Sequence, residues 1–266
     1  MLMGMTLSQL EPNAGLNREA NTRSLRPSPS DRQVRVNNVK ITFGFSPAEK
    51  TSHSFLGSSE QPTGLLFAEA NRGDLQRYLD KQNKNIDEAL RLKWCFQAAQ
   101  AITYIHSKGV IHSDLRPENF LLHAPNDNDD NPDLLLCDFG GSYCETDSKV
   151  IDGGNLPDAG FFDPNCEWVS NKDVDIFALG SVLYVIMTGH WPYKSPGPFA
   201  SVQEADEYDE KVDALFMKRE YPSVDGLQGG DIISDCWTKK IRDAGVIVAR
   251  YDALIQMRNQ ERAREC

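Results

Sequence analysis

Residues Val110–Leu122 read VIHSDLRPENFLL. An aspartate, Asp114, is followed two residues on by Arg116 and five residues on by Asn119, and apolar runs flank the group. An acid, a cation and an amide oxygen at this spacing suit a loop that handles phosphate. The same residue types also make a capped turn between a helix and a strand. What lies on either side decides between the two.

Upstream, apolar residues recur at Leu90, Trp94, Ala98, Ala101, Ile102 and Ile105. This stripe predicts a helix over 86–108, with Gly109 as its stop. Downstream, NFLL and DLLLC read as two short strands around the polar loop HAPNDNDDNP. Asp138-Phe139-Gly140 follows directly, with Asp138 24 residues after Asp114. From Asp175 a helix is expected that is apolar almost all round, and such a helix is buried in a sizeable domain. EADEYDEKVDALFMKRE predicts an acidic amphipathic surface helix. DIISDCWTKK and AGVIVARYDALIQMRNQE predict two further helices.

Before the loop, NRGDLQRYL starts a helix near Gly73, with Asp74 favourable at its positive end. TGLLFAEA reads as a strand ending near Glu69, and VRVNNVKITFGF as a hairpin around Asn37-Asn38. NREANTRSLRPSPSDRQ has little to bury and reads as disordered. The expected organisation is a disordered tail over 1–33, residual strands and a linker over 34–70, and a helical lobe over 71–266.

Composition sets the outer bounds. The net charge of −11 argues against general affinity for nucleic acid or an anionic membrane. Six cysteines are dispersed without a CxxC pair, and MLMGMTLSQLEPN lacks the apolar core of an export signal. An intracellular, cytoplasmic setting is expected. The longest nearly apolar run, Ile176–Met187, is too short to span a bilayer.

Taken together, the chain resembles the C-terminal lobe of the eukaryotic-type protein kinase family. HSDLRPEN (His112–Asn119) matches the catalytic-loop pattern H-R-D-L-K-P-x-N. DFG follows two short strands later, DVDIFALGSVLYVIMTGHWPY matches the central buried helix, and DCW matches a late helix-and-Trp element. The resemblance implies an α+β, protein kinase-like fold: a mainly α-helical C-lobe with an inset β-hairpin and a reduced N-terminal β element. It further implies that Asp114 takes the proton of a substrate hydroxyl and Arg116 meets the γ-phosphate of ATP. Asn119 and Asp138 would hold Mg2+, a hard cation that prefers oxygen ligands. Leu121 would lie beneath adenine. Glu69, Ala70 and Asn71 would offer hinge backbone to it, or serve only as a linker. Asp74 would reach the ribose or merely cap its helix. His112 would pack beneath Phe139, and Asp175 would anchor the catalytic-loop backbone.

Several departures from the family pattern matter. Ser113 replaces the arginine that in many kinases pairs with an activation-segment phosphate, so a phosphate there has less to attract it. Arg116 stands where many Ser/Thr kinases carry lysine. The A-P-E element is represented by DPNCE, which leaves Asn165 and Glu167 as alternatives for its glutamate and Arg242 as a partner. No threonine lies between Lys149 and Glu167, and no G-x-G-x-x-G occurs in residues 1–70. Lys40 is the one tempting strand lysine. The expected function is transfer of the ATP γ-phosphate to a protein hydroxyl, Ser/Thr rather than Tyr, impaired by the missing phosphate roof. The alternatives are a catalytically inactive pseudokinase that docks a protein partner, and a small-molecule phosphotransferase of related fold.

Overall fold

The computed structural model describes residues 69–265 apart from 127–128 and 147–148, together with the backbone of three short strands upstream. The expected disordered tail, the Asn37-Asn38 turn and Lys40 lie outside the described residues.

The strands upstream are β1 (Thr42–Phe43), β2 (Phe55–Glu60) and β3 (Thr63–Phe67). β2 and β3 form an antiparallel hairpin with Glu60 opposite Thr63. β2 escapes a sequence reading because FLGSSE has no apolar alternation. Next come α1 (Leu75–Gln82), α2 (Glu88–Ser107), β4 (Val110–Ile111), β5 (Phe120–His123) and β6 (Asp133–Cys137). β5 and β6 are the expected inset hairpin, in register from Phe120–Leu136 to His123–Asp133. β1 adds to its outer edge, with Thr42 opposite Cys137. The segment after DFG carries an unforeseen hairpin, β7 (Tyr143–Thr146) and β8 (Lys149–Asp152), and β7 also pairs with β4. α3 (Lys172–Thr188), α4 (Val202–Met217), α5 (Gly230–Trp237) and α6 (Ala244–Glu265) complete the lobe. Among the described residues, no helix is long and apolar enough to cross a membrane.

Local chemistry sets the helix ends. Asp87 caps α2 by accepting from the Leu90 amide at 2.7 Å, so the helix opens two residues later than periodicity predicts. α3 starts at Lys172 rather than Asp175, because Asn171 caps it through the Val174 amide at 3.1 Å. Asp175 therefore sits inside the first turn. Gly189 ends α3 with φ +84°, a conformation that costs a residue with a Cβ.

α3 is the axis of the core: every residue from Val174 to Met187 is buried. It passes α5 closely enough that a Cβ on Gly180 would stand 2.7 Å from the Cβ of Cys236. Trp237 of α5 is fully buried and donates its indole N–H to Ser181 of α3 at 2.9 Å, so its one polar atom is satisfied. Tyr221 stacks on Trp237, and Phe216 of α4 packs edge-on to Phe177. α4 presents acids to solvent but buries Tyr208, Val212 and Phe216 on its inner face. Below the inset hairpin, α2 contributes Trp94, whose indole donates to the Pro132 carbonyl at 2.8 Å. The hairpin and the loop before it thus rest on a rigid helical floor.

Candidate active site

The loop after β4 is held from below by one side chain. Asp175, fully buried, accepts from the His112 amide at 2.8 Å, the Ser113 amide at 2.9 Å and His106 Nε2 at 2.9 Å. Two of these donors are backbone groups in an irregular turn, where Ser113 has φ +65°. No regular ladder can satisfy them, so the carboxylate does. The anchoring role expected of Asp175 is what the geometry gives.

From this anchor the chain turns through Asp114, Arg116 and a 3-10 turn at Pro117–Asn119. Asn119 is buried and donates its amide to the Asp114 carbonyl at 2.7 Å and to the Asp114 carboxylate at 3.3 Å. Among the described residues, its side-chain hydrogen bonds are both made through the amide nitrogen. Burial pushes the Asp114 carboxyl up to about 7, with Asp158 and Asp138 adding to the rise and Arg116 and Asn119 opposing it. A carboxyl near 7 is suited to proton transfer at neutral pH.

Arg116 meets a partner that sequence reading missed. Its Nη1 donates to Asp158 at 2.6 Å, and its Nε lies 3.9 Å from Glu118. Burial opposes the charged guanidinium, but Asp158, Asp114 and Glu118 outweigh it and raise the pKa further.

Asp138 is exposed and has φ +62°. Such a left-handed conformation is uncommon outside glycine, though Asp tolerates it better than most. Among the described residues its carboxylate accepts only a long 3.4 Å bond from the Gly140 amide. An exposed carboxylate and an uncommitted amide oxygen fit the donor set a hard divalent cation takes. Beneath DFG, the His112 ring lies 5.1 Å from the Phe139 ring. His112 Nε2 donates to the Cys137 carbonyl at 3.0 Å, and burial lowers the pKa of the ring.

The hinge residues divide. Glu69 is exposed. Asn71 is committed to structure: its side chain donates to the Ala124 carbonyl and accepts from the Ala124 amide, both at 2.9 Å. Asp74 caps α1 through the Arg77 amide at 2.9 Å and lies 3.3 Å from the Arg77 guanidinium. Leu121 packs with Leu135 and Cys137, with Ala70 against them. That apolar floor adjoins the loop.

The end of the activation segment corrects one expectation. Neither Asn165 nor Glu167 pairs with Arg242, which meets Asp173 at 3.1 Å instead. At this end of the segment it is the buried Asp163 that forms an ion pair, with the partly exposed Lys239 at 2.8 Å. Asn165 donates to the Phe216 carbonyl at 3.0 Å and so ties the segment to α4. Burial alone would raise the Asp163 carboxyl, but hydrogen bonds from Lys239 and Asn165 hold it below the ordinary value. Lys239→Met should therefore cost about 2–4 kcal/mol at neutral pH by leaving a buried carboxylate unpaired. Because the native pKa is lowered, this contribution is present above the ordinary value of 3.8 and is lost as pH falls through the lowered one. Urea midpoints of the two proteins should differ at pH 7 and converge below pH 3.8. Equal midpoints at pH 7 would show that the pair stabilises nothing.

Beside the loop, a cavity of about 170 Å³ is lined by Asp80, Glu118, Gln76, Trp191 and Phe199 among others. Among the described residues, no cluster of three or more His, Cys, Asp or Glu side chains could hold a metal ion.

A family model described as protein kinase domain matches residues 54–242. The chain is 30% identical over 154 residues to an Aurora kinase of Schizosaccharomyces pombe, covering 56% of this chain and 40% of that protein. It is 27% identical over 168 residues to a putative mitogen-activated protein kinase kinase kinase 7-like protein of Drosophila melanogaster, covering 59% and 40% respectively. It is 28% identical over 127 residues to a calcium/calmodulin-dependent protein kinase type 1 of Macrobrachium nipponense, covering 47% and 32%. The matched regions span 40% or less of each of these relatives.

Proposed function

The chain belongs to the protein kinase family, and from that premise we propose that it transfers the γ-phosphate of ATP to a protein hydroxyl, serine or threonine in preference to tyrosine. The observation that carries this reading is the assembled loop. Asp175 pins its backbone, Asn119 is locked to Asp114, and the Asp114 carboxyl is held near neutrality. Phosphoryl transfer asks a protein mainly for positioning and charge. Asp114 accepts and orients the substrate hydroxyl proton. Arg116 brings a cation to the transferring phosphate. Asn119 and Asp138 are the residues that would hold Mg2+, which supplies charge neutralisation at the phosphates. Leu121 and the apolar floor around it would lie under adenine, with the Glu69–Asn71 backbone at its edge.

Five cysteines among the described residues form no disulfide, which supports an intracellular, cytoplasmic setting. A second reading, a docking protein without turnover, is favoured by one observation: residues 1–70 contain no G-x-G-x-x-G to roof the phosphates.

Calorimetric titration with Mg-ATP tests the nucleotide part. The native chain should bind, more weakly than a site with a complete phosphate roof. Asp138→Asn should weaken metal-dependent binding by about tenfold or more, since one charge-assisted contact is worth roughly 1.5–3 kcal/mol. Binding that is indifferent to Mg2+ and to Asp138 would overturn the metal assignment. No binding at all would favour the docking protein.

A further inference from the structure

The phosphotransfer reading gives Arg116 to the γ-phosphate, but the structure gives it first to a carboxylate of the activation segment. We propose that Asp158 is a positioning residue that holds Arg116 against the activation segment and competes with the γ-phosphate for it, so that Asp158 sets how strongly the site prefers ATP to ADP. The proposal rests on that reading.

Three observations carry it. The Arg116–Asp158 contact is short, at 2.6 Å, and its acid is only 14% exposed, so water screens it little. A second donor of Arg116 is restricted: among the described residues Nε is buried without a hydrogen bond, and it faces Glu118 at 3.9 Å. A phosphate takes an arginine best through two parallel N–H donors. With Nη1 engaged by Asp158 and Nε enclosed, a bidentate grip through Nη1 and Nη2 competes with Asp158 for Nη1. Finally, three acids, Asp114, Glu118 and Asp158, act on this single cation. The local balance therefore disfavours an incoming polyanion until one acid is removed. Ser113, in place of arginine, adds no cation beside them.

The choice of arginine at 116 fits the same account. Its long forked side chain spans from the catalytic loop to a residue 42 positions on, where lysine would act as a point charge.

The test is calorimetric titration of the full chain with Mg-ATP and with Mg-ADP. The variants are Asp158→Asn, Asp158→Glu, and Asp158→Asn in an Arg116→Ala background. Asp158→Asn should raise the ATP-to-ADP affinity ratio about three- to tenfold, less than one full charge-assisted contact because a competing contact is removed rather than a new one added. Asp158→Glu, which keeps the carboxylate, should leave the ratio near that of the native chain. In the Arg116→Ala background the asparagine substitution should move the ratio less than about twofold, because its effect runs through Arg116. A purely structural role would change both affinities together and leave the ratio fixed. An unmoved or lowered ratio in Asp158→Asn overturns the proposal, as does an equal rise without Arg116. If Asp158→Asn does not fold, Asp158→Ser provides the same comparison. Absence of binding by every variant to either nucleotide sinks the phosphotransfer reading and this proposal with it. Binding with an unmoved ratio sinks this proposal alone.

Discussion

Asp114→Asn is expected to remove phosphotransfer while making the protein more stable above pH 7. Both effects come from one carboxyl. As a proton acceptor in the transition state it contributes on the order of 10²- to 10⁴-fold in rate, and asparagine cannot take that proton. Mg-ATP binding should be largely spared, because the proposed phosphate and metal contacts are assigned to Arg116, Asn119 and Asp138. In the native protein, turnover should fall as pH drops through about 7, where burial has placed the Asp114 pKa. The stability effect has the opposite sense. The folded pKa lies above the ordinary 3.8, so the folded state binds the extra proton between those values. That contribution is fully present below 3.8 and is lost as pH rises through about 7. At pH 8 the ionised carboxylate therefore burdens the fold by up to about 4 kcal/mol, the equivalent of a three-unit shift. Asparagine carries no charge, and its oxygen can still accept from Asn119, which lies 3.3 Å from the native carboxylate. Urea midpoints at pH 8 should rise in the variant, and near pH 4 the gain should disappear. Retained turnover would remove Asp114 from the chemistry. An unchanged midpoint at pH 8 would mean the carboxyl is better solvated than its surroundings indicate.

Asp175→Ala is expected to be strongly destabilising, although it removes no apolar core side chain. Alanine would orphan two buried backbone amides and a buried imidazole, the donors from His112, Ser113 and His106. Breaking a buried charged network costs about 3–5 kcal/mol, and the empty space left by the carboxylate adds to it. Asp175→Asn should cost less, since one amide oxygen still accepts one of the two backbone bonds, but its NH2 then faces the remaining donor. The effect should reach the loop as well as the global midpoint. Hydrogen exchange at residues 112–119 should quicken in the alanine variant beyond what global destabilisation requires. A midpoint within about 0.5 kcal/mol of the native protein, the scale of an ordinary surface substitution, would show that the anchor does not carry the loop.

The helical lobe and its loop could be read from the chain because the signals involved are local. The stripe in α2, the Gly109 stop and the all-round apolar α3 are periodicities and turn preferences that act within a few residues. Asp114, Asn119 and Asp138 announced themselves through spacing. β2 and the β7–β8 hairpin did not, since FLGSSE and YCETDSKVID lack the alternation that marks a half-buried strand, and pairing partners supplied their order instead. The ion pairs were equally hidden. Asp158 stands in the plain run LPDAG, Lys239 in a TKK that looks like solvated surface, and Arg242 seemed the better partner for the segment's end. Their pairings join residues 42, 76 and 69 positions apart. A charge carries no periodicity that names its partner, and its worth depends on how much water the fold leaves around it. Sequence alone therefore determined which residues form the loop and the axis beneath it. Tertiary structure decided which acid holds Arg116, which lysine closes the activation segment and where Asp114 titrates, because each depends on desolvation and on distances that exist only once the lobe has closed.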